Sequence, residues 1–183
     1  MRITISLIVF FLLTAIFSFI ISWDVNISPT STFYFIRTFQ ENIQSELIFN
    51  NNQKFQWHYR LAQKKLEDVA NLVSLGKLGL LPVILEEYKG EYGFLKQQSA
   101  QNPDFQSKMV ELAGLQTKKL ISLFDVAFDK SDKRAILSSI IFLQQINKLS
   151  DSCDFLKSQS QNSFWNEVER TILKEKYEKT CSG

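Results

Sequence analysis

The chain has a single histidine, His58, set between Trp57 and Tyr59. Histidine is the usual general base and a common metal ligand. Metal sites, however, draw on several His, Cys or carboxylate ligands at set spacings such as H-E-x-x-H or C-x-x-C, and neither pattern occurs here. A lone histidine flanked by aromatics reads as a packing residue at the edge of a helical bundle. Glu67-Asp68 and Glu86-Glu87 are adjacent acidic pairs. Paired carboxylates do acid–base work when they face each other across a pocket. Neighbours on one helix point roughly 100° apart, so these pairs read as solvated faces. Lys118-Lys119 and Lys133-Arg134 are small basic clusters suited to anionic headgroups, and they read as ordinary helix surface. There is no nucleophile elbow, P-loop or other Gly-rich phosphate loop. We therefore assign no catalytic, cofactor-binding or metal-ligating residue, and we expect no cofactor.

Cys153 and Cys181 are the two cysteines. A compartment outside the cytoplasm would permit them to pair. If the last two helices form a hairpin turning near Gln161, Cys153 lies opposite about Glu169, and Cys181 falls ~18 Å further along by helical rise. A disulfide needs Cα atoms within about 7 Å. The expectation is thus a buried, unpaired Cys153 and a Cys181 in a fraying tail.

The elements that must position these residues are helical throughout. Ser31 or Thr32 caps a first helix running to about Ile48, with Phe35, Ile36, Phe39, Ile43 and Leu47 on or beside its apolar face. Asn50, Asn51 and Asn52 interrupt. A second helix spans about 53–75 on a stripe of Ala62, Leu66, Val69 and Val73, and Gly76 stops it. Pro82 opens a third, to about 98, in which Gly90 and Gly93 mark either a close helix crossing or a soft spot. Asn102-Pro103-Asp104 is a strong start for a fourth helix carrying Phe105, Met109, Leu112, Leu120, Leu123, Phe124 and Phe128. Ser131-Asp132 opens a fifth that carries Ile136, Ile140, Leu143, Cys153 and Leu156. Asn162 or Ser163 opens a sixth with Trp165, Val168 and Ile172 inward. Helices of such length with short connections imply antiparallel neighbours.

Residues Ile3 to Trp23 carry no charge, long enough at 1.5 Å per residue for about 30 Å of bilayer core. Arg2 precedes the run and Asp24 follows it, the charge order of a cytoplasmic N-terminus. The run exceeds a usual signal-peptide core and no A-x-A-like site follows, so it reads as a retained anchor. Thr14, Ser18 and Ser22 lie four apart within it, a spacing that serves close helix contact but more simply reflects hydroxyls bonded to their own backbone.

The fold class expected is all-α: a single N-terminal transmembrane helix (1–24), a short linker (25–32), and an extracytoplasmic antiparallel bundle of five to six helices (33–180). Six Gly and three Pro are too few for an all-β domain. A near-balanced 21 basic and 19 acidic side chains argue against a nucleic-acid partner.

The first two bundle helices carry a resemblance. Ser28, Pro29, Tyr34 and Arg37, the turn Ile48-Phe49-Asn50-Asn51, and the run from His58 to Glu67 with Leu61, Ala62 and Leu66 resemble an uncharacterised bacterial family, a domain of unknown function in secreted or membrane-anchored helical proteins. The turn here lacks the proline of the family pattern, and Lys65 stands in place of an arginine. The resemblance spans about residues 28–128 and is densest to about 77. It implies a helical domain outside the cytoplasm and carries over no established activity.

The function expected is a non-enzymatic, membrane-tethered interaction module of the bacterial envelope, in contact with the membrane through its N-terminal helix. Its partner is another envelope protein or a second copy of itself. The alternative is a bundle that binds a small apolar ligand or senses envelope stress, which requires an apolar cavity.

Overall fold

The computed structural model describes residues 27–181 apart from 101, 128 and 148, together with positions 7, 10–12, 14, 15 and 18. The described positions before residue 27 are helical, and from residue 27 onward the described residues form seven α-helices and one 3-10 turn. They are α1 (Tyr34–Leu47), α2 (Asn51–Ser74), the 3-10 turn Leu78–Leu80, α3 (Leu81–Ser99), α4 (Pro103–Val126), α5 (Lys130–Asn147), α6 (Ser150–Gln161) and α7 (Glu167–Cys181). The chain divides into two compact units, Met1–Lys54 and Phe55–Gly183.

The all-α expectation stands, but two parts of the fold class need correction. Among the described residues no helix is long and apolar enough to cross a membrane. The helices from α1 onward are amphipathic, with charged or polar residues recurring every turn. Most of the transmembrane helix expected over Ile3–Trp23 lies outside the described residues. Within it, Thr14 Oγ1 donates to the carbonyls of Phe10 and Phe11 at 2.8 and 3.0 Å, so this hydroxyl of the small-polar stripe bonds back to its own helix. The second correction is the helix count. The expected fifth helix is two, α5 and α6, broken around Leu149, whose backbone is extended (φ −83°, ψ 132°). The buried Gln144 side chain accepts the Leu149 N–H at 2.7 Å, replacing the helical bond that Leu149 gives up.

Several boundaries follow from local chemistry. Asn50 Oδ1 accepts the N–H groups of Asn52 and Gln53, capping α2. Gly76, at φ +64°, ends it in the left-handed region that glycine occupies without penalty. Asn102 Oδ1 accepts the Asp104 N–H at 3.0 Å, with Pro103 in the first turn. Helix α7 opens four residues later than expected. Asn162 instead caps the turn through Phe164 N–H, and Asn166 with Glu169 forms a reciprocal capping box, each bond 2.9 Å.

In the first unit, α1 is inverted relative to its apolar pattern. Arg37 is 1% exposed, and Gln40 and Glu41 are also buried, whereas Phe35 and Phe39 are 67% and 60% exposed on the opposite side. Arg37 can be buried because its charge is met. Its Nε donates to Glu41 Oε1 at 2.8 Å and its Nη1 to the Ile27 carbonyl at 3.0 Å.

The second unit has a continuous apolar core. Leu66, Val69 and Leu72 of α2, Leu81, Ile84 and Leu95 of α3, Leu112 and Leu120 of α4, and Ile136, Ile140 and Leu143 of α5 are all buried. On α2 the stripe ends on Leu72 rather than Val73. Phe55 and Phe105 stack with ring centroids 4.2 Å apart. Tyr88 donates its hydroxyl to Gln116 Oε1 at 2.8 Å, and burial holds the Tyr88 and Tyr92 hydroxyls well above the usual phenol range. A Cβ built on Gly90 or Gly93 meets nothing within 4 Å, so neither glycine marks a close helix crossing.

Candidate functional site

The residues singled out for chemistry do not converge. His58 is buried on α2, its Nδ1 2.6 Å from Glu91 Oε2 and its ring stacked on Phe94 at 3.7 Å. Lys65, two turns along the same face, reaches Glu87 Oε2 at 2.6 Å from a side chain that is itself buried. These pairs lace α2 to α3. Glu87 and the buried Asp68 are therefore not the solvated carboxylates expected of them, whereas Glu86 stays exposed, paired with Lys89. Lys118 pairs with Asp151 at 3.4 Å on the surface. Lys133 lies over the Phe124 and Phe164 rings, at 4.6 and 5.5 Å.

The cysteines correct the hairpin reasoning. Cys153 and Cys181 form a disulfide with Cα atoms 5.7 Å apart. The connection between α6 and α7 is an aromatic-filled turn rather than a sharp reversal near Gln161. Trp165 folds into it, buried, with its Nε1 donating to Gln159 Oε1 at 3.1 Å and its ring edge-on to Phe164. Those residues shift the register of the hairpin towards the C-terminus until Cys181 reaches Cys153. Gln144 of α5 seals the end. Its Nε2 lies 2.9 Å from Cys153 Sγ and 3.5 Å from Cys181 Sγ, while its Oε1 accepts from Ser152 Oγ and the Leu149 N–H.

That arrangement creates a feature the sequence did not announce. Because α6 reverses the chain and α7 reverses it again, α5 and α7 run parallel. Their N-terminal ends are clasped by Glu169, which takes Lys130 at 2.8 Å and Arg134 Nε at 2.8 Å. Their C-terminal ends are clasped by Gln144 and the disulfide. Between the clasps lies an open slot of about 420 Å³, lined by Leu137, Ile141 and Phe142 from α5 and by Trp165, Ile172 and Leu173 from the α7 side. Lys89, Arg134, Gln145 and Lys176 stand among its polar lining groups. The hydrogen bond from Lys130, the Asn166 N–H and Arg134 together hold the Glu169 carboxyl at about 2, far below the ordinary carboxylate value of 4.5. Of the three residues expected to face inward on the last helix, Trp165 does so. Val168 is 68% exposed, and Ile172 stands at the slot's rim with Leu173 buried beside it.

A second candidate surface is the outer face of α1. Phe33, Phe35, Phe39 and Phe49 are each 60% exposed or more, with Phe49 at 89%. Isolated exposed apolar residues need no explanation, but Phe35 and Phe39, four residues apart, stand together on the face of α1 opposite the buried Arg37.

Comparison with known families decides the relationship. The profile described as Domain of unknown function (DUF5667) matches residues 26–140. The chain belongs to the DUF5667 family. The match takes in α1 to α4 and the first half of α5, so both cysteines and the α7 wall of the slot lie outside the DUF5667 region. No curated protein and no solved structure matches the chain.

Proposed function

We propose that the chain is a non-enzymatic protein-interaction module of the bacterial envelope, working outside the cytoplasm, and that the phenylalanine face of α1 is its docking surface. The observation that carries this reading is the inversion of α1. A helix that buries Arg37 and Glu41 while presenting Phe35 and Phe39 to solvent keeps its apolar side for something other than its own unit. Phenylalanines anchor interfaces because each one buries a large area at small cost in rotamer freedom. The partner is a folded protein with an apolar recess, either a second protein or another copy of this chain. The disulfide supports the compartment, since such bonds persist where thiols are not kept reduced.

In-cell chemical crosslinking tests the reading. The wild-type chain is expected to give adducts larger than the monomer, and a Phe35→Ser/Phe39→Ser double variant is expected to lose them. Because both side chains are exposed, its stability should stay within about 0.5 kcal/mol of wild type per site. An adduct at twice the monomer mass identifies self-association, and a different mass a second protein. Monomer alone in the wild type, or adducts unchanged in the double variant, refutes the proposal.

A further inference from the structure

We propose that the slot between α5 and α7 is a binding site for a single-chain amphiphile bearing one carboxylate, a fatty acid, with its chain along Leu137, Ile141, Ile172 and Leu173 and its head at the end lined by Gln145 and Lys176. The site is independent of the α1 face and of any partner docked there.

Three observations argue for it. The first is construction. Parallel helices pinned at both ends, ten residues apart on α5 (Arg134 to Gln144) and twelve on α7 (Glu169 to Cys181), are held at fixed positions about 15–18 Å apart along their axes. The space between the pins is therefore a preformed slot. Preformed apolar sites with a few polar groups are the usual form of a small-ligand site, and the volume of about 420 Å³ lies within the ~300–1,000 Å³ range of such sites.

The second is size against shape. One turn of a helix ~10 Å across and 5.4 Å in pitch occupies on the order of 400 Å³. The slot's volume thus matches about one turn of helix, a shorter contact than a docked helix makes, and favours a narrow single-chain occupant.

The third is the placement of charge. At the N-terminal end Arg134 is already engaged by Glu169, which also takes Lys130, and Lys89 is paired with the exposed Glu86. Lys176 lines the slot and forms no ion pair among the described residues. It stands two turns along α7 from Glu169, beside the amide-bearing Gln145 end of α5. One uncommitted cation and one amide donor suit a monoanion at the disulfide end, with apolar wall between it and a clasp whose cations already share a carboxylate.

The test is photolabelling of the full chain with a diazirine-bearing analogue of dodecanoate, with adducts mapped by mass spectrometry. Labelling is expected to concentrate on peptides of α5 and α7. Unlabelled dodecanoate should compete for it, and dodecyltrimethylammonium, the same chain with a cationic head, should not. Lys176→Gln is expected to lower that labelling roughly tenfold, the effect of losing one charge-assisted hydrogen bond. Ile172→Glu, at a rim position where the helix tolerates a polar side chain, should abolish it. Leu115→Glu, an exposed apolar position outside the slot, should leave it unchanged. Labelling absent from α5 and α7, equal competition by the cationic amphiphile, or wild-type labelling in the Lys176→Gln chain overturns the proposal.

Discussion

At the scale of single residues, the structure turns on polar side chains placed where the apolar pattern had no use for them. Gln144 is one. Buried, it serves the Leu149 N–H, Ser152 and both sulfurs at once, so replacing it by Leu leaves the Leu149 N–H without its acceptor, while Ser152 keeps the Leu149 carbonyl. We expect Gln144→Leu to cost about 1–3 kcal/mol in chemical denaturation, and a loss below about 0.5 kcal/mol would contradict the role given to it. Glu169 is another. Its carboxyl sits at about 2 in the folded chain against 4.5 ordinarily, so the folded state is favoured while the group is ionised. That contribution is fully present above about 4.5 and is lost as pH falls towards about 2. The melting temperature of the wild type should therefore fall more steeply across this window than that of Glu169→Gln. Parallel pH profiles would remove Glu169 from the account. Gly90 has open space where a Cβ would go and lies inside α3, so Gly90→Ala should stabilise by about 1 kcal/mol. A thermal shift downward would show a contact the structure does not contain.

At the scale of elements, some caps were legible and the registers were not. Phe33, rather than Ser31 or Thr32, stands at the N-cap of α1 with no side-chain cap bond. Helix α5 opens at Lys130 with Asp129, rather than Ser131-Asp132, accepting the Ser131 N–H. Asn50, Gly76 and Asn102-Pro103 act locally, through their own side-chain or backbone preferences, and each does what its type predicts. The α5–α6 break was missed because Ile136, Ile140, Leu143, Cys153 and Leu156 keep helical spacing across it. What interrupts the helix is a glutamine side chain several residues upstream. The disulfide was missed for a related reason. A hairpin drawn as two rods cannot show that Phe164 and Trp165 fold into the turn and shift the pairing. The slot follows from both features, since the parallel course of α5 and α7 exists only once α6 is a separate helix. On α1 the phenylalanine stripe was visible, but its direction was not, because nothing in its spacing says that Arg37 finds both Glu41 and the Ile27 carbonyl. The disulfide closes a separation of 28 residues. Replacing both cysteines by Ser should destabilise the chain by roughly 3–4 kcal/mol through the freed loop entropy. An unchanged denaturation midpoint would mean that α7 is held without it.

At the scale of the whole molecule, membership of the DUF5667 family defines the relationship of residues 26–140, and the remaining helices add the disulfide and most of the second wall of the slot. A chain carrying this disulfide should be oxidised in growing cells when thiols are trapped before lysis, as extracytoplasmic proteins are. Fully reduced cysteines would place it elsewhere. The central claim, that α1 faces a partner with its phenylalanines, is tested most directly by a photo-crosslinking phenylalanine analogue placed at position 39 and, as a control, at Val83, an exposed apolar site on α3. The account predicts an adduct from position 39 and none from position 83. Equal labelling from the two sites, or none from position 39, would contradict it.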